Sequence, residues 1–370
     1  MSENLQSEFS QDLKDRAHFL RYSAIEGLET HLLALESNLI DHKLNVRWAQ
    51  DEDSLCNNIV ELLPQAQYNR VCFDLPEVPM AFKQNTDNVV NSVSVESLAN
   101  HDDEADVLVV NADFAVAENG SLVFINKASK DCFNLVSNLI VIVNIDQIIV
   151  NAADLSLFLK IRNRKGEDFP KDVKILTQSF EKVIADTFQS SDELGYTKEN
   201  VNVSVILYEN NVSGILEDLS LRQSLYCINC GRCMEVCPVA KMSSQLSPIE
   251  IVKRNCFDQF NHTQSIFQQT TLCGNCAEVC PVGVPLTDML IYEMNLVNGN
   301  VSYNKTKKLY SILSKRSKLN KCNSPFFRYF FVKKFFGKNR ILHNYFQNQK
   351  DPFYNITRNT PDKEDDQFEL

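Results

Sequence analysis

Residues 227–238 read Cys-Ile-Asn-Cys-Gly-Arg-Cys-Met-Glu-Val-Cys-Pro, four cysteines at the spacing C-x2-C-x2-C-x3-C-P. No other stretch limits the fold so tightly. Three thiolates at three-residue intervals wrap one chain turn around three irons of a cubane. The fourth, one helical turn on, faces away towards a second cluster. Gly231 lets the backbone come close to the inorganic sulfides, and Pro238 ends the turn. Zinc is the competing reading, but its sites pair two C-x2-C knuckles across a longer loop. A third cysteine so soon after the second, and then Cys-Pro, fits zinc poorly.

A second motif, Cys273-Gly-Asn-Cys276-Ala-Glu-Val-Cys280-Pro281, repeats the last three cysteines of the first, and Thr270 stands where the remaining one would be. Crossing the ligands between loops gives cluster one Cys227, Cys230, Cys233 and Cys280. Cluster two receives Cys237, Cys273 and Cys276. The expected cofactors are therefore two [4Fe–4S] clusters, the second short of one thiolate. Three ways to complete it stay open. Cys256 supplies the thiolate, or Thr270, water or a substrate takes the iron, or cluster two is [3Fe–4S].

Cys256 lies on the stripe Ile249, Val252, Cys256, Phe260 of a helix that opens with Ser247-Pro248-Ile249-Glu250. That opening is a capping box with proline at the first helical position, so core packing is the simpler role for Cys256. This helix occupies part of the 35 residues between Cys237 and Cys273. It predicts an all-helical two-cluster ferredoxin domain rather than the compact β-α-β kind. Cys56, Cys72, Cys132 and Cys322 stand alone and read as core or surface thiols.

Twelve cysteines in 370 residues, behind an N-terminus with no basic or apolar signal region, argue against a disulfide framework and for a cytoplasmic location. The longest apolar runs are strand-sized, so no membrane span is expected. Met294 to Lys350 holds 13 Lys and Arg and no Asp or Glu. The rest of the chain therefore carries about −24, the total of −11 less that +13. An acidic body with a basic tail suggests a docking surface.

Residues 1–65 read helical, with Phe9, Leu13, Leu20, Leu28, Leu32, Leu35 and Leu39 recurring at about helical spacing. Residues 66–208 change character. The strand-like runs Val107–Val110, Phe114–Ala117, Ser121–Ile125, Leu139–Val143 and Val201–Tyr208 alternate with helical stretches at Asp154–Arg164 and Lys174–Phe188. The expectation is an α/β domain with a mostly parallel sheet. Asn119-Gly120 predicts a hairpin with a two-residue type I′ turn. Residues 209–224 read as a linker, 225–298 as the helical dicluster domain, and 299–370 as a basic, aromatic C-terminal region. Within that tail, 325–346 reads as a helix that packs on the protein's own acidic body, docks a partner, or makes peripheral membrane contact. No dinucleotide fingerprint or P-loop is visible, and nothing points to nucleic acid.

Ala117-Glu118-Asn119-Gly120-Ser121 has a bland reading, a solvated turn, and a chemical one. Glu-Asn-Gly resembles the nucleophile motif of type I coenzyme A transferases, in which the glutamate forms an acyl intermediate. Glu118 is thus the candidate catalytic residue.

The stretches Asn111–Phe124 and Leu139–Val150 resemble the lactate-utilisation (LUD) domain, which is similar in fold to ribose-phosphate isomerase and coenzyme A transferase-like proteins. The two cysteine motifs behind it resemble those of lactate-utilisation protein B, an iron–sulfur subunit. Glu118-Asn-Gly-Ser121 departs from the family's usual Glu-Thr-Gly-Ser/Thr. The resemblance implies an electron-transfer subunit of a complex oxidising L-lactate to pyruvate, an NAD-independent oxidoreductase. Its implied partners are a cysteine-rich subunit and a second LUD-domain subunit. Two alternatives stand beside it: a redox-sensing or scaffold protein, and an acyl- or coenzyme A-binding enzyme using Glu118 with structural clusters.

Overall fold

The structure, a computed structural model, describes residues 9–64, 69–75, 90–100, 105–125, 132–133, 135–163, 173–176, 201–240, 247–257, 270 and 272–298. The chain divides into two compact units. One comprises residues 16–213 and the other residues 1–15 with 214–370.

The first unit is built on a six-stranded, wholly parallel sheet. Its strands are β1 (Asn45–Ala49), β2 (Asn69–Asp74), β3 (Val90–Val93), β4 (Val107–Asn111), β7 (Asn138–Asn144) and β10 (Asn202–Tyr208), in the order β1-β10-β7-β4-β2-β3. The central strands explain this arrangement. Val107–Val110 and Leu139–Val143 are buried without a break, as strands covered on both faces must be. Helix α3 (Glu52–Leu62) lays Leu55, Cys56 and Ile59 on Val107, Val109, Ile140 and Ile142. It starts at Asp51, whose carboxylate accepts from the Ser54 N–H in a reciprocal capping box.

A second sheet has the order β8-β5-β6-β9, with β5 (Phe114–Val116), β6 (Ser121–Ile125), β8 (Ile148–Ile149) and β9 (Val173–Leu176). Its two central strands are buried throughout. Polar groups fix it in place. Asp113 pairs with Arg162 at 2.7 Å, both nearly buried, and accepts from the Ile125 N–H at 2.8 Å. The fully buried Arg21 guanidinium donates to the backbone carbonyls of Ile148, at 2.7 Å, and Asp146.

Several expectations change. Asn45–Ala49, read within a helical segment, is the edge strand of the large sheet, paired in parallel with β10. Only Ala49 of it is buried, so the strand carries no hydrophobic pattern and tertiary pairing decides it. Helix α2 (Leu28–Asp41) buries Leu28, Leu32, Leu35 and Leu39 as the spacing predicts. Helix α1 (Gln11–Glu26), however, turns Ala17, Arg21, Ala24 and Ile25 inward rather than Leu13 and Leu20. Lys174–Leu176, expected to begin a helix, lies in β9 antiparallel to β6; residues 177–188 lie outside the described residues.

The Asn119-Gly120 hairpin joins β5 to β6, but by a four-residue turn. Gly120 alone has a left-handed φ, +69°, and its N–H donates to the Val116 carbonyl at 2.9 Å. Asn119 Oδ1 accepts from the Ser121 N–H and hydroxyl, which holds the turn without a second left-handed residue. A Cβ on Gly120 would approach Asn38 to 3.2 Å.

From Val212 onward the described elements are all helical: α6 (Val212–Glu217), which begins at the end of the first unit, a 3-10 turn (Arg222–Tyr226), α7 (Arg232–Val236), α8 (Pro248–Phe257), α9 (Asn275–Glu278) and α10 (Leu286–Asn298). The stretch read as a linker thus contains α6 and part of the 3-10 turn. Helix α8 has its capping box, with the Ser247 N–H donating to Glu250 at 2.6 Å and the Glu250 N–H to Ser247 Oγ at 3.4 Å. Ile249, Ile251 and Val252 are its buried side chains. Among the described residues no helix is long and apolar enough to cross a membrane. The side chain of Cys256, Cys322 and the whole of 299–370, with the 325–346 stretch, lie outside the described residues.

Candidate iron–sulfur site

The two cysteine loops are built alike, 43 residues apart. Each leaves the regular chain through a left-handed residue two places after its first ligand position, Asn229 at φ 54° and Leu272 at φ 51°. Each then passes a left-handed glycine, Gly231 at 74° and Gly274 at 85°, and enters a single helical turn, α7 or α9. The turns close identically. The Gly231 carbonyl accepts from Met234 and Glu235, and the Gly274 carbonyl from Ala277 and Glu278. Cys237 then donates to Met234, and Cys280 to Ala277, each at 3.3 Å. Such tight loops bring several cysteines round one centre. Leu272 is a bulky residue in a conformation that costs about 1–3 kcal/mol.

Electrostatics shows which sulfurs meet. Burial drives the Cys233 thiol pKa upward, and the Cys227, Cys230 and Cys280 sulfurs add to the rise, while the Ile249 N–H donates to it and opposes the shift. Burial likewise pushes Cys280 up to about 12, with Cys227 and Cys230 adding and the Val284 and Val282 N–H groups relieving it. The Val284 N–H lies 3.3 Å from the Cys280 sulfur. Cys276 is raised by burial first, then by Cys273, Cys237 and Cys233. Cys227, Cys230 and Cys280 thus lie within electrostatic reach of Cys233, and Cys273, Cys237 and Cys233 within reach of Cys276.

This donor set fits cubanes. Cysteines at ferredoxin spacing supply the soft sulfur donors that iron–sulfur clusters take. N–H donors aimed at sulfur stabilise the ligated thiolate. Each thiolate of a cubane stands on its own iron, so the sulfurs are spread more widely than ligands that share one ion. Among the described residues no three Cys, His, Asp or Glu side chains converge on a single-ion site.

Buried polar atoms flank the cysteine loops along the chain. Ser224 Oγ, Asn275 Oδ1 and Thr287 Oγ1 are buried without an oxygen or nitrogen partner. The Thr287 hydroxyl acts on the Cys276 sulfur and lowers its pKa. Arg232, inside the first loop, is buried and stacks its guanidinium 4.7 Å above the Phe9 ring. Sequence reasoning did not single out Thr287, Val284, Asn229 or Leu272. Only the fixed 43-residue offset between the loops pointed towards the last two.

In the first unit, Glu118 follows β5. Its Oε2 accepts at 2.8 Å from the Ala152 N–H, the first residue of helix α5 (Ala152–Arg162). Asn151, the residue before that helix, makes no side-chain cap, so Glu118 fills the role from another segment. The Glu118 and Ala117 carbonyls accept from Asn38 at 3.1 and 2.8 Å. Cys56, Cys72 and Cys132 are buried. Burial, then Cys132 and Asp74, push the Cys72 thiol up to about 12, a protonated core thiol.

A family model for the LUD domain matches residues 34–193, and one for a 4Fe-4S dicluster domain matches residues 223–284. The chain thus carries a LUD domain followed by a 4Fe-4S dicluster domain. No curated protein matches it. Among solved structures, that of a DUF162 family protein from Deinococcus radiodurans is similar to it at 15% identity and a TM-score of 0.33, covering 49% of this chain and 98% of that one. The LUD match spans the strands from β1 to β9 and helices α3, α4 (Val95–Ala99) and α5. The dicluster match takes in both cysteine loops and ends at Val284, the residue whose N–H reaches Cys280.

Proposed function

We propose that this chain is the iron–sulfur electron-transfer subunit of an L-lactate-oxidising complex, passing electrons singly between two clusters. The observation that carries this reading is the electrostatic reach of the Cys233 sulfur, which extends to Cys280 of one proposed ligand set and to Cys276 of the other. When bound, each cluster accepts and releases one electron. The residues of the chain do the rest. The loops would supply seven thiolates to the eight irons of two clusters, and the Val284 and Ile249 N–H groups steady the charge on Cys280 and Cys233.

Lactate is favoured because a LUD domain precedes the dicluster domain in one chain. Oxidation to pyruvate releases two electrons, which two one-electron sites accommodate as a pair. No nicotinamide or flavin fingerprint is visible in the sequence, so a hydride-accepting step would need another subunit or a cofactor that the sequence does not announce. A cysteine-rich subunit and a second LUD-domain subunit are the partners proposed, in the cytoplasm, where thiols stay reduced. The all-helical form of the whole dicluster domain belongs to the same reading.

The test mixes the anaerobically purified chain with those two partner proteins and adds L-lactate. Bleaching of its visible iron–sulfur absorbance at a rate that depends on lactate is expected. Clusters that bleach with dithionite but never with lactate would keep the carrier and reject the substrate.

A further inference from the structure

The two loops differ at one ligand position, and the difference is chemical rather than geometric. In the first loop the Cys227 sulfur accepts from the N–H two residues on, that of Asn229, at 3.3 Å. In the second loop the Thr270 Oγ1 accepts from the N–H two residues on, that of Leu272, at 3.1 Å. The acceptors lie 43 residues apart, the donors lie 43 residues apart, and the donor residues share the same left-handed backbone. The glycines and the closing hydrogen bonds that follow correspond one for one. Thr270 therefore holds its oxygen where the first loop holds a sulfur.

We infer that Thr270 occupies the fourth-ligand position of cluster two with a hydroxyl, leaving one iron bound by oxygen and exchangeable. The inference rests on the two-cluster reading above. The correspondence of the loops does not depend on bound iron: the Leu272 N–H meets Thr270 as the Asn229 N–H meets Cys227. A neutral hydroxyl binds iron more weakly than a thiolate and takes one negative charge off the ligand shell. The iron at that corner is then the one that leaves, and the reduction potential of cluster two lies above that of an all-thiolate cluster in the same pocket. Thr270 is only half-buried, so solvent reaches the corner. Water or a small carboxylate, both oxygen donors, is the class of ligand that would exchange there.

Mild oxidation with ferricyanide tests this on the full chain. One electron goes to ferricyanide and one iron leaves as the ferrous ion, so a dicationic cubane becomes a three-iron monocation with its own paramagnetic signal. Wild type should convert one of its two clusters. Labelled ferrous iron added afterwards under reduction should return to one site only, as read by Mössbauer spectroscopy. Thr270→Cys should abolish the three-iron signal and lower the potential of cluster two, and Cys256→Ala should leave both at wild-type values. If wild type yields no three-iron signal and Cys256→Ala creates one, Cys256 is the ligand and the inference is wrong. Should Thr270→Cys fold poorly, labelled iron spreading over several sites of wild type would overturn it just as well. A protein holding no iron at all would instead remove the two-cluster reading, an outcome separate from any of these.

Discussion

The two units reach stability by opposite routes. The 16–213 unit buries unbroken runs such as Val107–Val110, Ser121–Ile125 and Leu139–Val143 in two sheets, and its thiols are passengers in that core. The cysteine unit has helical turns of four and five residues at α9 and α7, too short to stand alone in water. It also gathers seven thiols, buried or half-buried, where a core of its size would place hydrocarbon. A hydrophobic core specifies the first unit, whereas the second sets its seven thiols beside a smaller apolar core that includes Leu225, Ile228, Val252 and Leu290.

Iron removal should separate them most sharply. Anaerobic chelation is expected to unfold the 214–298 segment, since ligation free energy there is folding free energy. Amide exchange should show that segment losing protection while β4, β7 and β10 keep theirs. Loss of protection in both units together would break the comparison. The converse is Phe124→Ala. Phe124 is buried and meets Phe133 edge-on at 5.0 Å. The variant should lose about 3–5 kcal/mol of stability in denaturant unfolding with its iron content unchanged.

Glu118→Ala is a smaller probe of the same contrast. Loss of the contact to the Ala152 N–H should cost about 1 kcal/mol and leave the clusters intact. Abolished turnover in an assembled complex, without loss of fold, would instead give Glu118 a chemical role. The smallest effect concerns Asp106, whose carboxyl pKa the Arg70 guanidinium holds down. A depressed pKa in the folded state stabilises above the unfolded value near 3.8 and is lost as pH falls through the folded value. Both partners are more than a third exposed, so the pair should be worth under about 1 kcal/mol. Asp106→Asn should flatten the acid limb of the stability curve only slightly.

How much could be read from the sequence follows the same division. Val107–Val110 and Leu139–Val143 announce themselves because strands covered on both faces carry no polar interruption. Asn45–Ala49 does not, because an edge strand with one buried residue has no pattern to show. At Asn119-Gly120 the hairpin is visible but the turn type is not, since Asn119 satisfies the Ser121 N–H from its side chain. In the cysteine unit, spacing names the seven sulfurs. It does not reveal that Val284 and Thr287 reach two of them from beyond the motif, nor that Leu272 accepts a strained φ. Those facts depend on where the chain returns after Pro281.

The most direct test is an iron and acid-labile sulfide count on anaerobically purified protein, joined to a reductive titration followed by EPR. Seven to eight irons per chain are expected, about the content of two cubanes, with reduced signals broadened by magnetic coupling between close neighbours. A colourless preparation carrying zinc on these cysteines would contradict the account at its root.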